Sequence, residues 1–241
     1  MSTTTSAAPL PRQRTRVRRS DVLEVVPAPE ARPALRGWLH AGFAPVVVVA
    51  GLVLLARADT RLEVVAVGVY AVTSAALFTT SALYHRLAWS GAGLRRMKQL
   101  DHGTIPLVVA ASATPVALLG VPGALGATLL AALWTAALLV AAARWVWPNC
   151  PRRVHTAGTA ALGWGVVPLL PLVAAAGAVP AAGTAVGLVA ASGALLTAGA
   201  VVYATRWPEP WPRWVGHHEV FHALTVLAWP LHAAAVWLLC G

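Results

Sequence analysis

Charge is what this sequence has least of. Only 11% of its 241 residues are Asp, Glu, Lys or Arg, against about 25% in soluble domains, which argues against a water-soluble globule. Acids are the scarcer part, 8 Asp and Glu against 18 Lys and Arg, for a formal net charge of +10. Cysteine is nearly absent, at two residues, so a disulfide-stapled secreted domain is excluded. Glycine follows no three-residue period, which removes a collagen, and 58% hydrophobic residues remove a disordered chain.

What remains is a long apolar body. Mean hydropathy is +0.69, and a membrane-crossing helix needs about 20 apolar residues, a demand the chain beyond residue 36 meets several times. The excess positive charge lies between apolar runs and forms no stripe on a folded domain, so the partner it indicates is a lipid bilayer and not nucleic acid. The fold class is all-α, a polytopic membrane bundle.

Residues 1–36 form a basic head, expected as a disordered cytoplasmic tail on the anionic leaflet. It carries Arg12, Arg14, Arg16, Arg18, Arg19, Arg32 and Arg36 against Asp21, Glu24 and Glu30. It has no apolar stretch ending in small residues, so it does not read as a signal peptide. The membrane domain, 37–241, divides into seven expected spans at 38–57, 62–87, 101–120, 123–146, 156–178, 182–204 and 216–239. Pro106, Pro115, Pro168, Pro171 and Pro230 fall inside spans and are expected to kink them.

Lys and Arg positions orient the bundle. The head has seven; Arg86, Arg95, Arg96 and Lys98 count with the connection of spans 2 and 3; Arg144, Arg152 and Arg153 with that of spans 4 and 5; Arg206 and Arg213 with that of spans 6 and 7. With the N-terminus in the cytoplasm, 16 of the 18 lie inside, leaving Arg57 and Arg61 outside. Trp38, Trp89, Trp145, Trp147, Trp207, Trp211 and Trp214 sit near the same expected interface, where indoles are favoured. The reading is a multi-pass protein of the plasma (inner) membrane, C-terminus outside. Cys150 and Cys240 then face opposite sides and cannot pair.

Ionisable residues inside spans are expensive and mark functional sites by default. His85 ends span 2, Asp101 and His102 open span 3, and His217, His218, Glu219 and His222 open span 7. All lie at the expected cytoplasmic end. His218 and His222 are four residues apart on one helical face, a spacing that suits two ligands of one metal, and His85 can supply a third nitrogen. Three protein ligands plus water is the composition of catalytic zinc. Asp101 is then the candidate general base, and Ser81, one turn before His85, a candidate hydrogen-bond donor. Such a pair also arises at interfaces with no metal, and a helical serine also bonds the carbonyl one turn back. The letters His218-Glu219-Val220-Phe221-His222 fit the zincin pattern, which keeps Glu219 in reserve as a second base. His102 and His217 point about 100° from their neighbours, towards supporting or headgroup contacts. His40 and His155 read as interfacial. His232 lies roughly 15 Å beyond His222 along a helix, too far for the same metal but able to line a cavity.

These segments carry a resemblance. Arg36-Gly37-Trp38-Leu39-His40, Ser81-Ala82-Leu83-Tyr84-His85, Leu100-Asp101-His102, Thr114-Pro115, Leu162-Gly163-Trp164 and His218-Glu219-Val220-Phe221-His222 with His232 resemble the haemolysin III family. That family is the bacterial branch of the progestin and adiponectin receptor superfamily. The resemblance runs from about residue 36 to the end. It implies seven helices with zinc near the cytoplasmic face, held by His85, His218 and His222, with Asp101 and Ser81 beside the bound water. It also implies a place among proteins proposed to hydrolyse lipid amides. The segment Ala111-Ser112-Ala113-Thr114-Pro115 departs from it, lacking the tyrosine usual before Thr-Pro.

Three functions fit these residues: a zinc hydrolase of a lipid amide or ester, a receptor or signalling protein with structural zinc, and a channel or cytolysin. The last expects ionisable groups at mid-membrane, where only His232 comes close. The charge bias gives a first test. Single-cysteine labelling in intact cells should find position 150 protected and the C-terminal end reactive; outside labelling across 148–153 would reverse the orientation.

Overall fold

The computed structural model describes residues 33–240; most of the basic head lies outside the described residues. Eight helices follow: α1 (Trp38–Arg57), α2 (Arg61–Arg86), α3 (Gly91–Gly120), α4 (Ala124–Val146), α5 (Arg152–Trp164), α6 (Leu169–Ala176), α7 (Ala182–Thr205) and α8 (His217–Leu239). With α5 and α6 taken as one crossing, seven segments are long and apolar enough to span a membrane. Among the described residues there is no strand, only an isolated bridge between Trp211 and Val215. Lipid hydrocarbon cannot satisfy an open backbone, so helix is the form each crossing must take.

Local chemistry sets the helix ends. Thr60 caps α2: its hydroxyl accepts from the Glu63 amide at 3.2 Å while the Glu63 carboxylate accepts from the Thr60 amide at 2.8 Å, a reciprocal capping box. The fifth crossing is broken where a kink was expected, at Pro168, which has no N–H to donate. Across the break the amides of Val166, Val167 and Leu169 donate to the carbonyls of Gly163, Trp164 and Val166. These tighter turns keep the backbone satisfied where the helix fails.

α3 also differs from expectation. It begins at Gly91, ten residues before Asp101, so Asp101 and His102 lie well inside the helix and do not open it. Leu94-Arg95-Arg96-Met97-Lys98-Gln99-Leu100 contains only strong helix formers. Hydropathy marks where the apolar stretch begins; it does not mark where the helix begins.

Successive helices pack as neighbours, α1 on α2, α2 on α3, α3 on α4 and α7 on α8, and α1 meets α8 to close the circuit. α3 is central and also touches α5, α6 and α8. One core cluster, rich in Ala, Val and Leu, joins α3, α4, α6 and α7; a more aromatic one joins α1, α2 and α8 through Tyr70, Phe78 and Trp229. Val49, Leu52, Val72 and Leu139 are fully outward and exposed, as lipid-facing side chains are.

The alternating helix directions gather Arg36, Arg86, Arg144 and Arg206 at one end, the basic end. There the last residues of the head are held: the amides of Ala34 and Leu35 donate to the carbonyls of Arg213 and Trp214 at 2.9 and 3.2 Å. Gly37 then starts α1 in the left-handed region, φ 78°, and a Cβ on it would lie 2.5 Å from His85 Cβ. Only glycine allows both. Gly37→Ala should therefore lower the thermal midpoint of the purified protein by several degrees, from a strain on the order of 1–2 kcal/mol plus the collision. Gly42→Ala, with nothing within 4 Å, is the control expected to leave the midpoint unchanged.

Candidate metal centre

Three histidines converge at the basic end. His85 comes from the last turn of α2, His218 and His222 from the first turns of α8, and their ligating atoms lie within 4.8 Å of one another. His85 Nε2 and His218 Nε2 are 3.1 Å apart. Two ligands on arms of 2.0–2.1 Å at a tetrahedral angle would stand roughly 3.3 Å apart, so the pair already has the separation a shared ion needs. The donor set of imidazole nitrogens suits a transition metal and not calcium or magnesium. These three residues are close enough to bind a metal ion.

Around them the other expected site residues fall into place. Asp101, 7% exposed, puts Oδ2 3.9 Å from His85 Nε2 and 3.8 Å from His102 Nδ1. Ser81 is buried and its side chain faces the Asp101 carboxylate. The α3 extension leaves this pairing intact, because depth along α3 is set by its packing on α2.

The other histidines take definite partners, and His40 departs from its expected place. His40 is not interfacial: it is 3% exposed and stacks on His222, ring centroids 3.8 Å apart and planes 6° from parallel, with Phe78 edge-on at 4.8 Å. It braces a candidate ligand from the α1 side. His102 is inside the bundle, not at headgroups. Its Nδ1 meets the Lys98 carbonyl at 2.7 Å; a carbonyl only accepts, so Nδ1 carries the hydrogen and Nε2 accepts from the Tyr203 hydroxyl at 3.4 Å. His217 pairs with Glu209 at 2.7 Å. His232 donates Nε2–H to the Ser112 carbonyl at 2.9 Å, tying α8 to α3.

Glu219 is withdrawn from catalysis by its contacts. One carboxylate oxygen accepts from the Gly216 amide at 2.9 Å, capping α8, and the other pairs with Arg36 Nε. The zincin letters are thus a helix cap and an ion pair. Arg36 is the residue sequence reasoning placed in the tail; it reaches across 183 positions to hold the helix that carries His218 and His222. Arg144, counted as a loop charge, is buried in the last turn of α4. The signal for it was the nearby run Arg152, His155, Thr156, Thr159, spaced to give α5 one polar face.

A family described as haemolysin-III related has a sequence model that matches residues 30–233 of the chain. All three clustered histidines, with Asp101 and Ser81, lie inside that match. Metal analysis of the purified protein should find about one transition-metal ion per chain, as one three-histidine site predicts. A His218→Ala, His222→Ala double variant should lose it; near-stoichiometric metal in that variant would remove these residues from the site.

Proposed function

The chain belongs to the haemolysin-III related family, and from that premise and the histidine cluster we propose that it is a zinc-dependent hydrolase of a lipid amide or ester. The observation that carries the reading is the grouping of three imidazoles with one buried carboxylate, Asp101, 3.9 Å from His85. The 16-to-2 charge bias supports a cytoplasmic position for this group, and the reading puts the protein in the plasma (inner) membrane.

His85, His218 and His222 would hold the ion, which supplies Lewis acidity to polarise a carbonyl and acidify water. The rest falls to the chain. Asp101 Oδ2 accepts the proton of the attacking water and returns it to the departing amine or alkoxide. Ser81 orients that carboxylate or donates to the substrate carbonyl oxygen. His102, whose Nδ1–H is fixed on the Lys98 carbonyl, stands 3.8 Å from Asp101 Oδ2 and helps shield that carboxylate. The bilayer delivers an amphiphile with its amide or ester at the depth of these groups.

A second reading, a non-catalytic receptor with structural zinc, is favoured by one observation. α2 and α8, which supply the ligands, keep their backbones apart and meet through side chains, Tyr70 on Trp229 and His85 against His218 and His222, so an ion held by those histidines would act as a further tie between them. Asp101→Asn separates the two. The hydrolase reading expects zinc retained and turnover of a long-chain lipid amide or ester reduced by about 10² to 10⁴, the usual cost of a lost general base. His85→Ala should lose zinc and turnover together. No cleavage by the zinc-loaded wild type, or an Asp101→Asn protein that unfolds with no separable effect on turnover, would leave the receptor reading in its place.

A further inference from the structure

We propose that the basic end carries a second site, separate from the three histidines, in which Arg144 of α4 and the Arg152, His155, Thr156, Thr159 face of α5 bind a phosphate-type oxyanion. Arg144 is 6% exposed, and its Nε is buried without a hydrogen-bond partner. Among the described residues no carboxylate pairs with it. The acids at this end are engaged elsewhere: Asp101 beside His85 and His102, Glu209 with His217, Glu219 with Arg36 and the Gly216 amide. A buried guanidinium with no counter-charge is strongly unfavourable, so this one calls for an anion.

The facing helix offers matching groups. His155 Nε2, Thr156 Oγ1 and Thr159 Oγ1 are all buried with no hydrogen-bond partner. Helical threonines ordinarily satisfy themselves on the carbonyl four residues back, as Thr114, Thr128, Thr135, Thr197 and Thr225 do here at 2.8–3.0 Å. Thr156 and Thr159 do not. Positions 152, 155, 156 and 159 follow the i, i+3, i+4, i+7 pattern of one helical face, and they are shielded while Arg153, Val154, Ala157 and Ala161 are exposed. α5 packs on α3, α4 and α7, so that face looks into the bundle, where the His155 ring stands 6.1 Å from that of His102.

The donors define the ligand. A guanidinium, two hydroxyls and an imidazole N–H can all donate to one group with several acceptor oxygens, and Arg is the preferred partner of phosphate. An approach exists as well: a groove of about 390 Å³ is lined by Pro151, Arg152, Arg153, Ala204, Thr205 and Arg206, three cations and no acid. Arg152 belongs to both groove and face, its guanidinium 5.1 Å over the Tyr203 ring. Exposed Trp145 and Trp147 flank the site, the level at which indoles meet headgroups. The shared chemistry is a phosphate; its source is a lipid headgroup or free phosphate.

Full-length protein in neutral detergent tests this with two probes, dioctanoyl phosphatidate by native mass spectrometry and inorganic phosphate by calorimetry. The wild type should retain phosphatidate and not dioctanoyl phosphatidylcholine. Arg144→Gln and the Thr156→Val, Thr159→Val pair should each weaken binding at least tenfold, with metal content unchanged. Phosphatidate that inorganic phosphate does not displace identifies a lipid headgroup; equal binding of inorganic phosphate identifies the free ion. Binding of neither probe, or affinity unchanged in the threonine pair, overturns the proposal even if Arg144→Gln does not fold. The histidine cluster stands or falls separately, on its metal.

Discussion

A polar side chain placed among lipid tails has no water to turn to, and its partners must be found within the same bundle. That constraint organises this protein more than any single contact. It explains why polar side chains from α1, α2, α3, α4, α5, α7 and α8 meet at one end. There the imidazoles of His40, His85, His218 and His222, the carboxylate of Asp101 and the Arg36–Glu219 pair lie within a continuous set of contacts. The middle of the bundle, by contrast, is closed by Ala, Val and Leu on one side and by Tyr70, Phe78 and Trp229 on the other. Some polar groups deeper in are taken up by cross-ties, such as Trp134 Nε1 to Thr114 Oγ1 at 3.2 Å and His232 to the Ser112 carbonyl, while Trp229 Nε1 is buried without a hydrogen-bond partner.

The same constraint decided what could be read in advance. Seven crossings were legible because apolar length alone sets a span, and α1 was placed to the residue. The histidine trio was legible because histidines are too costly in such a sequence to lie at one depth of distant helices without mutual business. What could not be read depended on lateral direction. Spacing tells which residues share a helical face, but not which helix that face meets. His40 was therefore assigned to the interface when its ring lies on His222. Arg144 was assigned to a loop, because charge near a span end looks the same in sequence whether it turns outward or inward.

Glu219 shows how a motif can be right in letters and different in meaning. In the zincin pattern the glutamate needs an oxygen free for water. Here the residue stands three places into α8, where the first backbone amides lack partners, and the Gly216 amide claims one oxygen while Arg36 claims the other. With that carboxylate occupied, Asp101 is the acid that remains beside the histidines, and it comes from the centrally packed helix, whose position is fixed by neighbours on every side.

The strap at residues 33–36 has a bearing on how the protein is made. Its hydrogen bonds run to Arg213 and Trp214, and Arg36 pairs with Glu219, all of them residues synthesised after six crossings have emerged. The first crossing thus waits for the last before its entry point is fastened. The histidine trio obeys the same schedule: a nascent chain halted before α8 holds His85 alone, with neither clasp nor partner nitrogens. The contacts that close the bundle and those that complete the histidine cluster thus become available only with the same last stretch of chain.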